Sequence, residues 1–595
     1  MCGIVCYYGN KKAKEEILEG LYNLEYRGYD SSGIALLDSE INVYKKAGKL
    51  AELDNYLKEV KLMQNIGIGH IRWATHGISD DLNAHPQVSN SKKIAIVHNG
   101  IIENYQELKK ELLAQGYYFK SDTDTEVLVN LIENYFSGDI LKALSKALKR
   151  IKGSYAIGLI MTGEKERMLL ARNKSPLVLA YRNKEILASS DILSIAEKVD
   201  KVIYLEDQQI VDIKDGVFKI YDLDLNSVKL NIEDVKVDKQ VNDKLHFKHY
   251  MLKEIHEQAE RVKDLTDIYI KDAKIDLKLN LDITKINKIF IVACGSAYNA
   301  ALLAREYFIK YLKYDTEIKL ASEFINEDNL IDAKTLVILV SQSGETADTL
   351  AVLKYIKQFN AISLALANVK ESSLVRESDY YFLSHAGSEI AVASTKAYLC
   401  QVIALRLLAL FLARLRFSDF AYEGIIKELS GLSDLIRVIL NDAEKIKALA
   451  KAYLKDKDLF FLGKANDYYL AMEASLKLKE ISYIHCEAFA SGELKHGSIA
   501  LIEKDVPVII FNTIDKLKQK ALSSASEVKA RGANVLMISD DLSSEFNTYL
   551  LPKSSEDLKI ISAIIFAQLF AYYVADLKGL DVDKPRNLAK SVTVE

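Results

Sequence analysis

Two hydrophobic periods divide the chain. Up to about Asp215, short alternating apolar runs at 66–71, 94–97 and 156–161 have the two-residue period of half-buried strands. Between them, 13–24 and 125–135 carry apolar residues at helical spacing. This mixture predicts an α+β layered sandwich. From about Gly216 to Leu279 the chain turns charged, with Lys and Asp throughout and one amphipathic stretch, 246–262. That segment reads as a connector leading into a helix.

The second half contains a weak internal duplication. Ile289-Phe290-Ile291-Val292-Ala293-Cys294-Gly295 is echoed by Asp458-Leu459-Phe460-Phe461-Leu462-Gly463, each leading into a helical pattern. The run 336–340 is echoed by 508–511, and 361–366 by 535–538. Largely apolar runs of this length predict buried parallel strands with helices between them. The expected architecture is two doubly wound α/β parallel-sheet domains, 280–420 and 450–586.

With 595 residues the chain exceeds one hydrophobic core, and such a length suggests about three or four domains. Its 49% apolar and 27% charged content is that of a soluble globular protein. A net charge of −4 gives no reason to expect nucleic acid or an anionic membrane as a partner. The five cysteines, Cys2, Cys6, Cys294, Cys400 and Cys486, are scattered without C-x-x-C spacing. This argues against a disulfide framework and a zinc site and fits a reducing cytoplasm. The most apolar stretch, 400–417, is interrupted by Arg406, Arg414 and Arg416, so no membrane span is expected.

Candidate chemistry begins at Met1-Cys2-Gly3-Ile4. Removal of the initiator Met would leave a thiol beside its own α-amine. With ordinary pKa values of about 8.5 and about 7.7–8.0, the amine can take the thiol proton near neutrality, the self-activation of N-terminal nucleophile (Ntn) hydrolases. A second-position cysteine alone proves little, since chain ends often fray. Four segments accompany it: Tyr26-Arg27-Gly28-Tyr29-Asp30-Ser31-Ser32-Gly33, Gly69-His70-Ile71-Arg72-Trp73-Ala74-Thr75-His76-Gly77, Val97-His98-Asn99-Gly100-Ile101-Ile102-Glu103-Asn104 and Ser121-Asp122-Thr123-Asp124-Thr125-Glu126. Together they resemble the class II glutamine amidotransferase domain.

That resemblance implies an Ntn-type sandwich over 2–217 in which the Cys2 sulfur attacks the glutamine amide. The tetrahedral oxyanion needs fixed donors, and Asn99 and Gly100 match the family's oxyanion hole. Arg72 and Asp124 match the groups that pair with the substrate's α-carboxylate and α-ammonium, with Thr75 and His76 lining the same pocket. Taken singly, Asn99-Gly100 would read as a β-turn and Arg72 as a solvated charge.

In open α/β sheets ligands sit beyond the carboxyl ends of the strands. After the run 336–340 comes Ser341-Gln342-Ser343-Gly344-Glu345-Thr346, entering a helix. These hydroxyls at a helix start suit an anion, and equally a plain N-cap. Glu389-Ile390-Ala391-Val392-Ala393-Ser394-Thr395-Lys396 adds hydroxyls, and Gly295-Ser296 a third group. The second repeat's Asn512-Thr513-Ile514-Asp515 lacks the serine pattern, so one phosphate site in two similar domains is the economical reading. These loops resemble the sugar isomerase (SIS) domain. The order amidotransferase, linker (218–279) and SIS pair resembles the glutamine:fructose-6-phosphate amidotransferase family along the chain, including its last thirteen residues, Asp583 to Glu595.

The resemblance implies D-glucosamine 6-phosphate synthesis from D-fructose 6-phosphate and L-glutamine, the first step of hexosamine biosynthesis, with no cofactor or metal. Sugar-phosphate contacts fall on Ser296, Ser341, Gln342, Ser343, Thr346, Val392, Ala393 and Ser394. Glu480 matches the base that moves a proton between sugar carbons 1 and 2, supported by Lys477 and Glu473 on one helix face at i+3 and i+4 spacing. His496 matches the ring-opening acid/base, which in relatives comes from the neighbouring subunit, so a homodimer or larger assembly is implied. Lys590 matches the Schiff-base lysine, and 587–595 would close over the sugar. Ammonia would cross a water-poor channel. Trp73, the only tryptophan, resembles its gate in position and reads equally as a core aromatic.

Some residues depart from the family pattern. Ala297 replaces a hydroxyl residue, a loss of about 0.5–1.5 kcal/mol in phosphate binding, and Ala259 stands where proline is usual. Gln87, Ser388 and Ala391 differ in supporting positions. Another class II amidotransferase would need a phosphoribosyl or ATP site in place of the isomerase repeats. A sugar-phosphate-binding regulatory module would not need Cys2, Glu480, His496 and Lys590.

Overall fold

The computed structural model describes residues 2–73, 77–164, 166–235 and 244–592. The chain forms two compact units, Met1–Gln240 with Ser591–Glu595, and Val241–Lys590.

In the first unit, strand Gly3–Tyr8 lies between Ile66–Arg72 and Glu185–Ser189 in an eight-stranded sheet, antiparallel to both. A six-stranded sheet holds Ile94–Ile102 between Gln87–Val88 and Gly153–Met161. Alternation along the strands builds the layers. Ile4, Cys6 and Tyr8 meet Ala95, Val97 and Ala156 between the sheets. Val5 and Tyr7 turn outward onto Ile17 and Leu21 of helix Ala13–Leu24. On the other side, Ile94 and Ile96 pack on Val127 and Leu131 of helix Asp124–Tyr135. The result is the expected sandwich, layered helix, sheet, sheet, helix. Because both faces of Gly3–Tyr8 are covered, that strand is continuously apolar. A Cβ on Gly158 would sit 2.4 Å from Cys6 Sγ, so this glycine sets how closely the sheets approach.

The charged 218–279 region, expected as a connector, is shared between the two units. Val217–Tyr221 pairs with Gln209–Lys214, and Glu233–Asp234 with Lys201–Tyr204, both at sheet edges. Their charged side chains face solvent while Ile220 enters the core, which is why composition reads as linker. The helix Tyr250–Tyr269 buries Met251, Ile255, Val262 and Leu265 in the core of the second unit.

The second unit contains two five-stranded parallel sheets of the same order. The first runs Thr316–Leu320, Lys288–Ala293, Thr335–Ser341, Ile362–Ala367, Tyr380–Leu383. Its counterpart runs His485–Ala490, Asp458–Gly463, Pro507–Asn512, Asn534–Ser539, Asn547–Leu550. The three echoed runs are the central strands of each. The order 2-1-3-4-5 places a topological switch point between the first and third strands, where a crevice forms. Helices Lys396–Arg416 and Glu556–Leu577 are long and apolar enough to cross a membrane, but 83% and 89% of their most apolar windows are buried inside the protein. Arg406, within the first of them, is itself buried and paired with Glu428 at 2.8 Å and Asp557 at 2.7 Å. Between the two sheets, helices Glu423–Ser430, Leu432–Asn441 and Ala443–Ala450 contribute to one core cluster that runs through both repeats.

Candidate active sites

The first site is built at the start of the first strand. Cys2 Sγ accepts a hydrogen bond from the Trp73 backbone N–H at 3.3 Å and lies 3.4 Å from the Trp73 carbonyl. Burial pushes the thiol pKa up, partly offset by the positive chain terminus at Met1, the Trp73 N–H and the Arg72 charge. Cys2, Arg72, Trp73, Gly100 and Asp124, all named from sequence, line one pocket, and His85, His98, Thr123 and Thr125 join them. Thr75 and His76 lie outside the described residues.

Each of these side chains is placed by local structure. Thr123 caps helix Asp124–Tyr135 by accepting from the Glu126 N–H, while the Glu126 carboxylate takes the N–H groups of Lys120 and Ser121. Asp124 thereby stands at the first helical position, where its Oδ2 accepts from the Ile102 N–H at 2.8 Å. Arg72, at a strand end, donates to the carbonyls of Gly77 and Ile78. Gly100 has φ +135, and a Cβ there would meet the Ser154 carbonyl oxygen at 2.1 Å, so only glycine fits beside Asn99. Trp73 is half-buried and meets Tyr29 edge-on at 6.2 Å, rather than filling the core.

The Asn99 amide is oriented by His70, to which the motif pattern assigns no role. His70 is fully buried, and burial followed by the Arg72 charge holds its pKa at about 3, so the ring is neutral. Its Nε2 faces two acceptors, Asn99 Oδ1 at 3.0 Å and the His98 carbonyl at 3.1 Å. The ring proton therefore belongs on Nε2. With Oδ1 engaged this way, Asn99 Nδ2 points to the Cys2 carbonyl, 3.2 Å away. A donor is thus fixed at the Cys2 backbone, although Asn99 itself does not line the pocket.

The second site lies at the carboxyl ends of the first parallel sheet. Ser341 Oγ accepts from the Gly344 N–H at 3.0 Å and shares a hydrogen bond with Thr346 Oγ at 2.9 Å. Thr346 occupies the N-cap of helix Ala347–Lys357 without a side-chain cap bond, so the plain N-cap alternative is not realised. The loop keeps its turn because Gly344 has φ +68, with Ser372 Oγ 2.1 Å from where a Cβ would be. Gln342 and Ser343 are half-buried on the same loop.

Ser296 is engaged differently from the phosphate donor expected of it. Its hydroxyl donates to Glu473 Oε1 at 2.9 Å, and Asn299 Nδ2 donates to Glu473 Oε2 at 2.8 Å. Glu473, Lys477 and Glu480 share a face of helix Asn466–Ser482, with Lys477 Nζ 3.5 Å from Glu473 and 2.6 Å from Glu480. Lys477 is 1% exposed. Burial works against its charge, but Glu480 and Glu473 outweigh it and raise the pKa; burial likewise raises that of Glu473.

The tail is pinned rather than frayed. Asp583 accepts from the Tyr250 and Met251 N–H groups, both at 2.9 Å, at the start of helix Tyr250–Tyr269. The Arg586 guanidinium lies 4.2 Å from the Tyr483 ring. Lys590 forms an ion pair with Glu389. Glu389 also accepts from Ser394 Oγ at 3.0 Å and from the Thr395 and Ala397 N–H groups at 2.9 and 3.0 Å. Burial opposes its ionisation, yet Lys590 and these donors bring its pKa down to about 2. Behind it, Glu254 accepts from the Ile390 and Ala391 N–H groups, and burial together with Glu389 pushes it up to about 8. Val392 and Ala393 are buried beside this cluster, Val392 N–H bonding the Asp583 carbonyl. His496, in the short helix Glu493–His496, is exposed and not brought to these groups within the chain.

Comparison with known proteins agrees with this layout. Residues 70–197 match the glutamine amidotransferase domain model, and 282–411 and 452–575 each match the SIS domain model. The sites thus belong to an amidotransferase joined to a pair of sugar isomerase domains. Along its full length, and theirs, the chain is 45% identical to a glutamine–fructose-6-phosphate aminotransferase (isomerizing) of Clostridium perfringens and 41% to one of Thermococcus kodakarensis. The C-terminal domain of the Francisella tularensis glucosamine-fructose-6-phosphate aminotransferase superposes with a TM-score of 0.56 at 38% identity, covering 58% of this chain and 99% of that one. The chain belongs to the glutamine–fructose-6-phosphate aminotransferase (isomerizing) family. It makes D-glucosamine 6-phosphate from D-fructose 6-phosphate and glutamine, releasing glutamate.

The Glu254 shift carries a sign. Its carboxyl is protonated in the folded chain up to about pH 8 but ionises near 4.5 when unfolded. The folded state therefore binds the extra proton, and this group's contribution to stability falls as pH rises from about 4.5 through 8. Glu254→Gln is expected to gain more in thermal midpoint over the parent chain at pH 8.5 than at pH 5.5. Scanning calorimetry at the two pH values checks this; an equal difference at both refutes it.

Proposed function

We propose that the first half-reaction is carried by Cys2, with Asn99 and Gly100 as oxyanion donors and Arg72 and Asp124 holding the glutamine α-carboxylate and α-ammonium. The sulfur attacks the amide carbon, the C–N bond breaks, and ammonia leaves with a proton relayed through the α-amine freed by loss of Met1. Water then hydrolyses the thioester, which releases glutamate and restores the thiol. Thr75 and His76 complete the pocket on this reading.

In the second half-reaction, the phosphate of fructose 6-phosphate occupies the Ser341, Gln342, Ser343 and Thr346 loop, with Val392, Ala393 and Ser394 beside it. The uncapped start of helix Ala347–Lys357 supports this role for the loop. Lys590 condenses with the ketone at carbon 2, and ammonia displaces it. Glu480 takes a proton from carbon 1 and returns it to carbon 2, with Lys477 and Glu473 fixing its position. The observation that carries the reading is the ion pair joining Lys590, near the chain end, to buried Glu389 in this loop cluster. Ammonia travels between the sites shielded from water, with Trp73 beside Cys2 as its gate.

Ser296 is occupied by Glu473, so we assign it to positioning that carboxylate as well as to the sugar, and Ala297 provides no replacement hydroxyl. The amidotransferase domain, read from sequence as 2–217, takes in the edge strands Val217–Tyr221 and Glu233–Asp234 as well; the isomerase repeats run 280–420 and 450–586, with 587–595 closing the sugar site. The chain works as a homodimer in which His496, exposed on its own chain, serves the neighbour's sugar as ring-opening acid/base. The five free cysteines suit the cytoplasm.

Purified protein, with loss of Met1 verified by mass, is incubated with glutamine and fructose 6-phosphate and both products are assayed. Equal yields of glutamate and glucosamine 6-phosphate, abolished by Cys2→Ala, are expected; glutamate without amino sugar would contradict the reading. For the shared site, co-expressed Glu480→Gln and His496→Gln chains, each inactive alone, should regain about one quarter of parental activity, since half of the dimers are mixed and each carries one intact site. A mixture that stays inactive would put His496 and Glu480 to work within a single chain.

A further inference from the structure

The second isomerase repeat has a crevice at the same topological place as the sugar loops of the first. Its sheet has the same strand order, so its switch point lies between Asp458–Gly463 and Pro507–Asn512. The residues just beyond those strands, Ala465 and Asn466 on one side and Ile514 and Lys516 on the other, line a pocket of about 370 Å³. Such a volume accommodates a hexose-sized ligand.

This pocket differs chemically from the first crevice. Beside a single hydroxyl, that of Ser555, it presents Lys310, Lys516 and Arg406 together with the carboxylates of Glu306, Glu428, Glu556 and Asp557. Neither Lys310 nor Lys516 has an ion-pair partner among the described residues, and both are exposed at the rim. Arg406 is 1% exposed; its Nη2 holds Glu428 and Asp557, while Nε and Nη1 have no hydrogen-bond partner among the described residues. Two long helices, Asn466–Ser482 and Glu556–Leu577, begin at the pocket, and neither has a side-chain cap bond. Glu556 and Asp557 already complement the start of Glu556–Leu577, so the anion preference rests on Lys310, Lys516, the free Nε and Nη1 of Arg406 and the start of Asn466–Ser482. Glu306, which accepts from Asn466 Nδ2 at 2.7 Å, and Glu428, which holds Arg406 and Ser555, keep further lone pairs for hydroxyl or ammonium donors on the ligand body.

We propose that the crevice of the second isomerase repeat is a separate binding site for a phosphorylated sugar, its phosphate held by Lys310 and Lys516 and its polyol body facing Glu306 and Glu428. The site is distinct from the sugar-phosphate loops of the first repeat and does not depend on the roles assigned there. Its position gives it a consequence. The helix that begins at Asn466 also carries Glu473, Lys477 and Glu480. The proposed site and the catalytic carboxylates thus share one rigid helix.

The test is calorimetric titration of the full-length chain, without glutamine, using fructose 6-phosphate, glucosamine 6-phosphate and inorganic phosphate as probes. Parent protein, Lys310→Ala/Lys516→Ala and Ser343→Ala are compared; the two lysines are exposed, so their removal leaves the fold intact. Two binding events per chain are expected with at least one of the sugar phosphates. The double lysine variant should weaken one event by about tenfold or more, equivalent to about 1.4 kcal/mol, and spare the other. Ser343→Ala should affect only the event that the lysine variant spares. Whichever sugar phosphate binds the lysine-dependent site more tightly identifies its source. A single event per chain that is unchanged by the lysine substitutions overturns the proposal. Equal affinity of that site for inorganic phosphate and both sugars, meaning an adventitious ion only, also overturns it.

Discussion

The sugar-handling half of this molecule depends on one buried ion pair. Lys590 and Glu389 have side chains 4% and 0% exposed, and charges so far from water are tolerated only when paired and further hydrogen-bonded. Glu389 meets that condition with Ser394 and the first N–H groups of helix Lys396–Arg416. The pair therefore fixes three things at once: the end of the chain, the loop around Ser394, and the start of a core helix. Truncating either partner would strand the other, a loss of about 3–5 kcal/mol in comparable buried pairs. On the reading proposed above, a sugar that enters the site separates the reactive amine from Glu389.

A second network connects the isomerase repeats. Ser296 and Asn299, from the first, donate to Glu473 on the second repeat's helix, and Lys477 joins Glu473 to Glu480. The carboxylate proposed as base is thus positioned by residues of both repeats. One apolar core runs beneath them, which explains why the duplication forms one unit rather than two independent domains. In the amidotransferase unit the equivalent support comes from neutral groups. A desolvated imidazole, His70, turns the Asn99 amide, and the Thr123 hydroxyl, capping the helix through the Glu126 N–H, sets Asp124 at its first position.

How much of this could be read from sequence differs element by element. The central parallel strands were legible because strands covered on both faces are apolar without interruption. Edge strands such as Thr316–Leu320 and Asn547–Leu550 were not, since one exposed side admits Glu, Lys and Asn. The same effect hid Val217–Tyr221 inside a stretch that composition marks as linker. Local motifs placed Cys2, Arg72, Gly100 and Asp124 on one pocket, because the strands and helix carrying them converge there. His70, Glu254 and Glu389 act through partners as far as 29, 137 and 201 positions away, which no local motif records. Ser296 could be named as a site residue, but its commitment to Glu473, 177 positions on, follows only from the way the repeats pack.

The account rests most heavily on Lys590 as the amine that meets the sugar. Wild-type protein is mixed with fructose 6-phosphate, reduced with borohydride, digested and mapped by mass spectrometry. A reduced hexose-phosphate adduct on Lys590, absent from Lys590→Arg, is the predicted result. An adduct on another lysine, or none from protein that is making amino sugar, would contradict the account.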